Sequence, residues 1–372
     1  MTRDHILVTG GAGFIGSHLV DALVERGHRV RIFDSLVPQV HGDAVPEHLN
    51  KDAEFIRGDV CDAEAVRRAL DGIDVVYHQA AEVGVGQSMY EIVRYVKAND
   101  LGTAVLLEEI VKRKGQFRKI IVASSMSIYG EGAYRNSRTG EAAYPQLRGD
   151  AQLASHDWEL RDGGDVLEPV GTAESKPLFP TSVYAVSKQD QEQYCLAVGR
   201  AYKIPTVAFR YFNVYGTRQA LSNPYTGVCA IFSSRLMNGQ RPVIFEDGGQ
   251  TRDFVHVSDI VRANLLALET DRGDYEAINV GTGRATSVAD IARLLAKGLG
   301  KDIEPEIVGK YREGDIRHCV ADIAKARTLL GYEPNVTLEA GLAELLEWVA
   351  GQRPDDRVDA ATAELASLGL VK

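Results

Sequence analysis

A tyrosine and a lysine stand four residues apart in Tyr184-Ala185-Val186-Ser187-Lys188. On a helix that spacing puts both side chains on one face. Such a pair can move a proton at neutral pH. A free tyrosine titrates at about 10, so a phenolate at pH 7 costs about 4 kcal/mol unless neighbours lower it. An ammonium one turn away lowers it, and the positive ring of an oxidised dinucleotide would add to the effect. Taken alone the pair is as readily structural, because Tyr and Lys meet at this spacing by chance. Ser124-Ser125-Met126-Ser127-Ile128-Tyr129-Gly130 offers a second group: the Ser125 hydroxyl could hold a reacting alcohol beside the tyrosine oxygen. The plain alternative is a run of small residues capping a strand.

A dinucleotide needs a cradle, and Thr9-Gly10-Gly11-Ala12-Gly13-Phe14-Ile15-Gly16 has the composition of one. Glycines at 10, 13 and 16 allow a tight turn and close approach of the backbone to a pyrophosphate. The helix that opens there offers unpaired N–H groups, with Phe14 and Ile15 at its mouth. Glycine trios are common, and the position between strand and helix is what makes this one specific. Asp34 follows the next apolar run. A carboxylate there accepts hydrogen bonds from ribose hydroxyls and repels a ribose phosphate, which predicts NAD rather than NADP. Asp59 and Val60 are placed to cap the adenine. Gln79, Ala80 and Ala81 put small residues where the cofactor passes the backbone, and Asn99 and Tyr211 complete the expected cofactor set.

These residues fall at the ends of regular elements. Residues 5–9, 29–33, 54–57, 74–78 and 119–124 are brief and β-branched, and read as buried parallel strands. Between them 17–26, 62–70, 91–114 and 183–202 read as helices, the first stopped by Gly27. The alternation predicts an α/β fold: a doubly wound, Rossmann-type parallel sheet with ligands outside the carboxyl ends of its strands. Residues 131–176 are rich in Gly, Asp, Arg and Glu without sustained periodicity. They read as a long excursion, leaving beside Ser125 and returning before Tyr184. Residues 217–251 and 276–372 read as a smaller α+β part with its clearest helices at 287–299 and 338–349. The expected division is 1–216 plus 253–275 for the dinucleotide and 217–252 plus 276–372 for a second ligand. The stretch 353–372 reads as a frayed helix.

The 372 residues carry a net charge of −10, which argues against nonspecific nucleic-acid binding. The apolar run after Thr2-Arg3-Asp4-His5 is too short for a signal peptide or a membrane span. Cys61, Cys195, Cys229 and Cys319 lie far apart, as reduced thiols of a cytoplasmic protein do.

The nucleotide loop, serine and Tyr/Lys pair come in an order that resembles the extended short-chain dehydrogenase/reductase family, the nucleotide-sugar epimerases and dehydratases. The resemblance runs from Ile6 to about Pro334, with 131–176 outside it. It implies that Tyr184 is the catalytic base, Lys188 its partner and Ser125 the hydroxyl-binding residue. In Arg210-Tyr211-Phe212-Asn213-Val214-Tyr215-Gly216 it makes Asn213 a substrate-diphosphate contact. In Arg252-Asp253-Phe254-Val255-His256-Val257 and Tyr311-Arg312-Glu313-Gly314-Asp315 it puts Arg252 and Arg312 near the phosphates. Arg218 and Phe245 are expected at the same substrate end. Guanidinium groups suit phosphates, although each arginine could equally form a surface ion pair, Arg218 most readily.

Sugar dehydratases of the family carry an Asp-Glu pair after the catalytic threonine. Here Met126 and Ser127 stand there, which argues for 4-epimerisation instead. The stretches 216–227 and 242–248 are most similar to bacterial 4-epimerases of dTDP-L-rhamnose, with UDP-hexoses as the other expected substrates. Relatives of that kind often carry paired cysteines in the excursion. This chain has none between Cys61 and Cys195, so no metal is expected. The family also implies a homodimer. A ketosugar reductase and a non-catalytic nucleotide sensor share the fold, and the intact Tyr184, Lys188 and Ser125 count against the sensor.

Overall fold

The computed structural model describes residues 3–42, 44–113 and 115–372. Seven parallel strands form the central sheet in the order Ala277–Val280, Thr206–Tyr211, Lys119–Ser125, Val75–His78, His5–Thr9, Arg29–Asp34, Glu54–Arg57. The order reverses between His5–Thr9 and Val75–His78, so a crevice opens there at the carboxyl ends. Both faces of the sheet are covered. Ile6 and Val8 enter one apolar core while Leu7 enters the other, and Ile121 and Ile120 divide in the same way. The fold is the doubly wound parallel sheet that the alternation predicts. Two strands, Thr206–Tyr211 and Ala277–Val280, were not among the expected ones. Ala277–Val280, which the expected division gives to the second part, lies in the dinucleotide sheet.

Local signals account for most helix boundaries. Phe14–Glu25 begins directly after Gly13, three residues before the expected start. Asp62 caps Ala63–Ala69 by accepting from the amides of Glu64 and Ala65. Ser182 caps the twenty-residue helix Val183–Tyr202 through the Ala185 amide, 3.1 Å away. The single helix expected over 91–114 is instead Ile92–Tyr95, a π-turn Val96–Leu101 and Gly102–Val111; Lys114 lies outside the described residues. The π-turn carries Asn99, and such bulges commonly re-aim a side chain at a functional place.

The excursion is not irregular. Ala133–Asn136, Ala142–Ala143, Arg161–Asp162 and Asp165–Thr172 pair antiparallel, and Asp165–Thr172 continues into His318–Ala321, Thr251–Arg252 and Thr286–Ser287. Its buried apolar residues form two small clusters, Tyr134 with Leu160 and Leu167, and Leu153 with Trp158 against Tyr311, so the strands carry little apolar alternation and leave no periodic trace in the sequence. Helices Val228–Met237, Val288–Gly298 and Leu338–Ala350 enclose a third core around Ile291, Leu295 and Leu345.

Candidate functional site

A single cavity of about 710 Å³ runs from the carboxyl end of Arg29–Asp34 to the loop around Arg312. At its first end the glycine loop makes its turn. Gly10 has φ +67°, and a Cβ there would lie 2.7 Å from the Ala80 amide nitrogen. A Cβ on Gly16 would strike the Gly10 carbonyl. The cradle is therefore a space that side chains would close, with the amino terminus of Phe14–Glu25 aimed into it. Asp34 is buried, and its carboxylate accepts from the Ala12 amide at 3.1 Å and the Leu36 amide at 2.9 Å. His41 lines the same end, 3.9 Å from Asp34. Burial holds its imidazole below the ordinary 6.5 against the pull of Asp34, so it brings no fixed positive charge for a ribose phosphate. Asp59, Val60, Gln79, Ala80 and Ala81 continue the lining. The donor set and the carboxylate fit NAD.

Tyr211 also lines the cavity. Its hydroxyl receives hydrogen bonds from Asn264 at 2.8 Å and Gln79 at 3.3 Å. Asn99 departs from expectation. It is fully buried and outside the lining, because its amide is consumed by structure: Oδ1 accepts from the Glu82 amide and Nδ2 donates to Glu82 O and Ser187 Oγ. It holds the cavity wall rather than facing the cofactor space.

Midway along the cavity the sheet and the helix Val183–Tyr202 bring Ser125, Tyr184 and Lys188 together. The Tyr184 amide is fixed by Ser88 Oγ at 3.0 Å. Burial raises its phenol, and a hydrogen bond with Ser125 lowers it. Ser125 Oγ also accepts from Ser127 N at 3.1 Å and Ser127 Oγ at 2.9 Å. Lys188 Nζ donates to Ala123 O and Gln191 Oε1, each at 2.9 Å. Desolvation brings its ammonium down to about 7. The protein alone thus leaves the phenol protonated; an approaching positive charge would favour the phenolate. His78 behind them is buried between Thr9 and Thr103, its imidazole brought to about 3 by desolvation, and stays neutral.

The far end holds Asn213, Phe245, Arg252 and Arg312. Arg252 is braced by the carbonyls of Thr251, Arg317 and Ile316 at 2.7–2.9 Å. Arg312 lies over the Phe245 ring, 4.8 Å from its centre, with Nε on Asp315 at 2.8 Å. Arg218 is not brought to the site. Its backbone is left-handed, φ 66°, and its guanidinium pairs with Asp21 of the first helix at 2.7 Å, outside the lining. Four buried polar atoms of lining residues have no protein partner: Ser124 Oγ, Asn213 Oδ1, Gln219 Oε1 and Gln250 Oε1. A ligand with hydroxyl or amide groups would satisfy them.

Sequence reasoning missed His41, Gln250 and the lining residues beyond 357. No motif marks the first two. The third group is an apolar i, i+3, i+7 set, Val358, Ala361 and Leu365, a packed face on the stretch expected only as a frayed helix.

The profile of the NAD dependent epimerase/dehydratase family matches residues 6–149 and 163–281. A dTDP-L-rhamnose 4-epimerase of Burkholderia thailandensis is 39% identical over 349 residues, covering 93% of this chain and 94% of that protein. The structure of a Thermotoga maritima UDP-glucose 4-epimerase with UDP-glucose superposes with a TM-score of 0.75 at 36% identity, covering 93% of this chain and 98% of that one. A Bacillus cereus UDP-glucuronic acid 4-epimerase with UDP-glucuronic acid and NAD gives 0.77 at 32%, covering 93% and 99%.

Proposed function

Because the chain belongs to the NAD dependent epimerase/dehydratase family, we propose that it is an NAD-dependent nucleotide-sugar 4-epimerase, an isomerase acting on a dTDP-linked or UDP-linked hexose. The observation that carries this reading is the meeting of Ser125, Tyr184 and Lys188 in one cavity with Asn213, Arg252 and Arg312. NAD, held by the glycine loop and Asp34, would supply the hydride acceptor and donor for oxidation and re-reduction at carbon 4 of the sugar. The Tyr184 oxygen takes the proton of the 4-hydroxyl and later gives it back. Ser125 holds that hydroxyl against the tyrosine oxygen. Lys188 supports the phenolate from a site that is buried and bonded to Ala123 and Gln191. Asn213 and the two arginines hold the diphosphate, so the sugar can turn over without leaving. Met126 and Ser127 line the site without a carboxyl group for removing water.

Residues 1–216 and 253–275, joined by strand Ala277–Val280, hold the dinucleotide. Residues 217–252 and the rest of 276–372 hold the nucleotide sugar, and the excursion over 131–176 braces that half without metal. Two neighbouring helical runs expose Ile92, Val93, Val96, Leu101 and Val186, which supports a homodimer joined across them. Four free thiols, three of them buried, support a cytoplasmic enzyme. Among the described residues no helix is long and apolar enough to cross a membrane.

The test is incubation of the purified protein with a panel of dTDP- and UDP-linked sugars, the products resolved by chromatography. Conversion of one sugar to its 4-epimer without added reductant is expected. Net consumption of NADH or NADPH would replace the epimerase with a reductase.

A further inference from the structure

The chain beyond Arg357 does not fray; it returns to the cavity. Helix Val358–Ser367 and the residues after it place Val358, Ala361, Thr362, Leu365 and Leu370 in the lining. Three separate contacts hold them there. Arg235 pairs with Asp359 at 2.6 Å and Asp356 at 3.5 Å. Glu364 Oε2 lies 3.1 Å from the Tyr90 oxygen and 3.3 Å from that of Tyr225, and the two oxygens are 2.6 Å apart. One phenol therefore donates to the other and the second to the carboxylate. Residues 370–372 run antiparallel to 311–313. Tyr311 and Lys372 exchange backbone hydrogen bonds at 3.0 Å, Glu313 N donates to Leu370 O at 3.0 Å, and Arg312 faces Val371.

The direction of this segment matters. Leu365 meets the helix Val85–Ser88, so closely that a Cβ on Gly86 would lie 3.3 Å from its Cδ1. That helix carries Ser88, which fixes the Tyr184 amide. Five residues after Leu365 the chain grips the loop of Arg312. The segment therefore spans the substrate half from the reacting centre to the diphosphate arginine. Its apolar residues face the cavity, where Ala361 and Leu365 are buried.

We propose that residues 358–372 form a binding wall of the substrate site, with Leu365 against the sugar and residues 370–372 positioning Arg312 for the diphosphate. The nature of the substrate rests on the epimerase reading. The wall's lining is apolar apart from the Thr362 hydroxyl and carries no cation. It suits an uncharged sugar and offers a sugar carboxylate no charged partner.

Two variants of the full enzyme test this: Leu365→Ala, and a chain ended after Leu368. Thermal melting and bound NAD are measured on both; bound NAD is expected to match the parent protein, and Leu365→Ala to melt lower, as a vacated buried side chain requires, while still folded at the assay temperature. With the nucleotide sugar that the parent turns over, each variant should raise KM about tenfold with kcat within about twofold. Titration with UDP and with dTDP should show diphosphate affinity falling by about the same factor in the shortened chain and unchanged in Leu365→Ala. Parent values of KM and of diphosphate affinity in both variants would overturn the proposal. If the shortened chain fails to fold, Lys372→Pro, which removes one amide donor to Tyr311, takes its place. If the parent turns over no nucleotide sugar, the epimerase reading falls while the diphosphate titrations still judge the segment. A parent protein that binds neither diphosphate overturns both.

Discussion

Tyr184 keeps its phenol in a buried place, raised by desolvation and lowered by its hydrogen bond with Ser125, so its proton depends on its neighbours. Replacing Tyr184 with Phe removes one oxygen and leaves the packing, including the edge contact with the Tyr95 ring at 6.4 Å. Turnover should fall by a factor of about a hundred to ten thousand, with diphosphate affinity unchanged; steady-state kinetics with the true substrate will read it. Lys188→Met should also lose turnover. Without the ammonium the raised phenol ionises only in alkali, so the residual rate should climb with pH. The same lysine makes a stability prediction. Its ammonium titrates at about 7 when folded and at 10.5 ordinarily. Between those values the unfolded chain binds the extra proton, so this group makes stability rise with pH across that window. Urea midpoints from pH 7 to 10 should show a shallower rise in Lys188→Met. At this scale the sequence was most legible where roles demand a fixed spacing, as with Tyr184 and Lys188 or Gly10, Gly13 and Gly16. Arg218 and Asn99, also expected at the site, stand outside the lining with their polar groups on Asp21, Glu82 and Ser187. Spacing along a chain does not record which partner reaches a side chain first.

Among the elements, strands buried on both faces announced themselves. His5–Thr9, buried throughout, has the bounds read from its apolar run, and so does the half-exposed edge strand Glu54–Arg57. The excursion did not, because its order comes from ion pairs across distant segments. Arg148, almost wholly buried, meets both carboxylate oxygens of Glu246 at 3.0 and 2.8 Å and the carbonyls of Trp158 and Asp315. Arg317 joins the same carboxylate at 2.9 Å and reaches Asp247 and Glu159. Glu246 lines the cavity, in a left-handed backbone with φ 56°. Arg148→Ala should therefore cost about 3–5 kcal/mol by leaving a buried carboxylate short of its partner, read as a lower urea midpoint. It should raise KM while leaving bound NAD intact, since the dinucleotide end lies elsewhere. Metal analysis of the intact protein should find no zinc in stoichiometric amount.

For the molecule as a whole, the exposed stripe on Ile92–Tyr95 and the π-turn after it is the feature that a lone chain leaves unexplained: Val93 is 79% exposed. Light scattering at micromolar concentration should report a dimer, and Val93→Asp combined with Leu101→Asp should report a monomer with its NAD still bound. The excursion joins the strands around Arg252 in the second sheet. That ladder passes from Ala142–Ala143 at the rim of the excursion, through Asp165–Thr172 and His318–Ala321, to Thr251–Arg252, and it contains neither Tyr184 nor Lys188. Heredity is thereby given a dial separate from the chemistry. A change of length at the rim would reach the backbone of Arg252 through this strand pairing and leave the helix of Tyr184 and Lys188 outside the ladder.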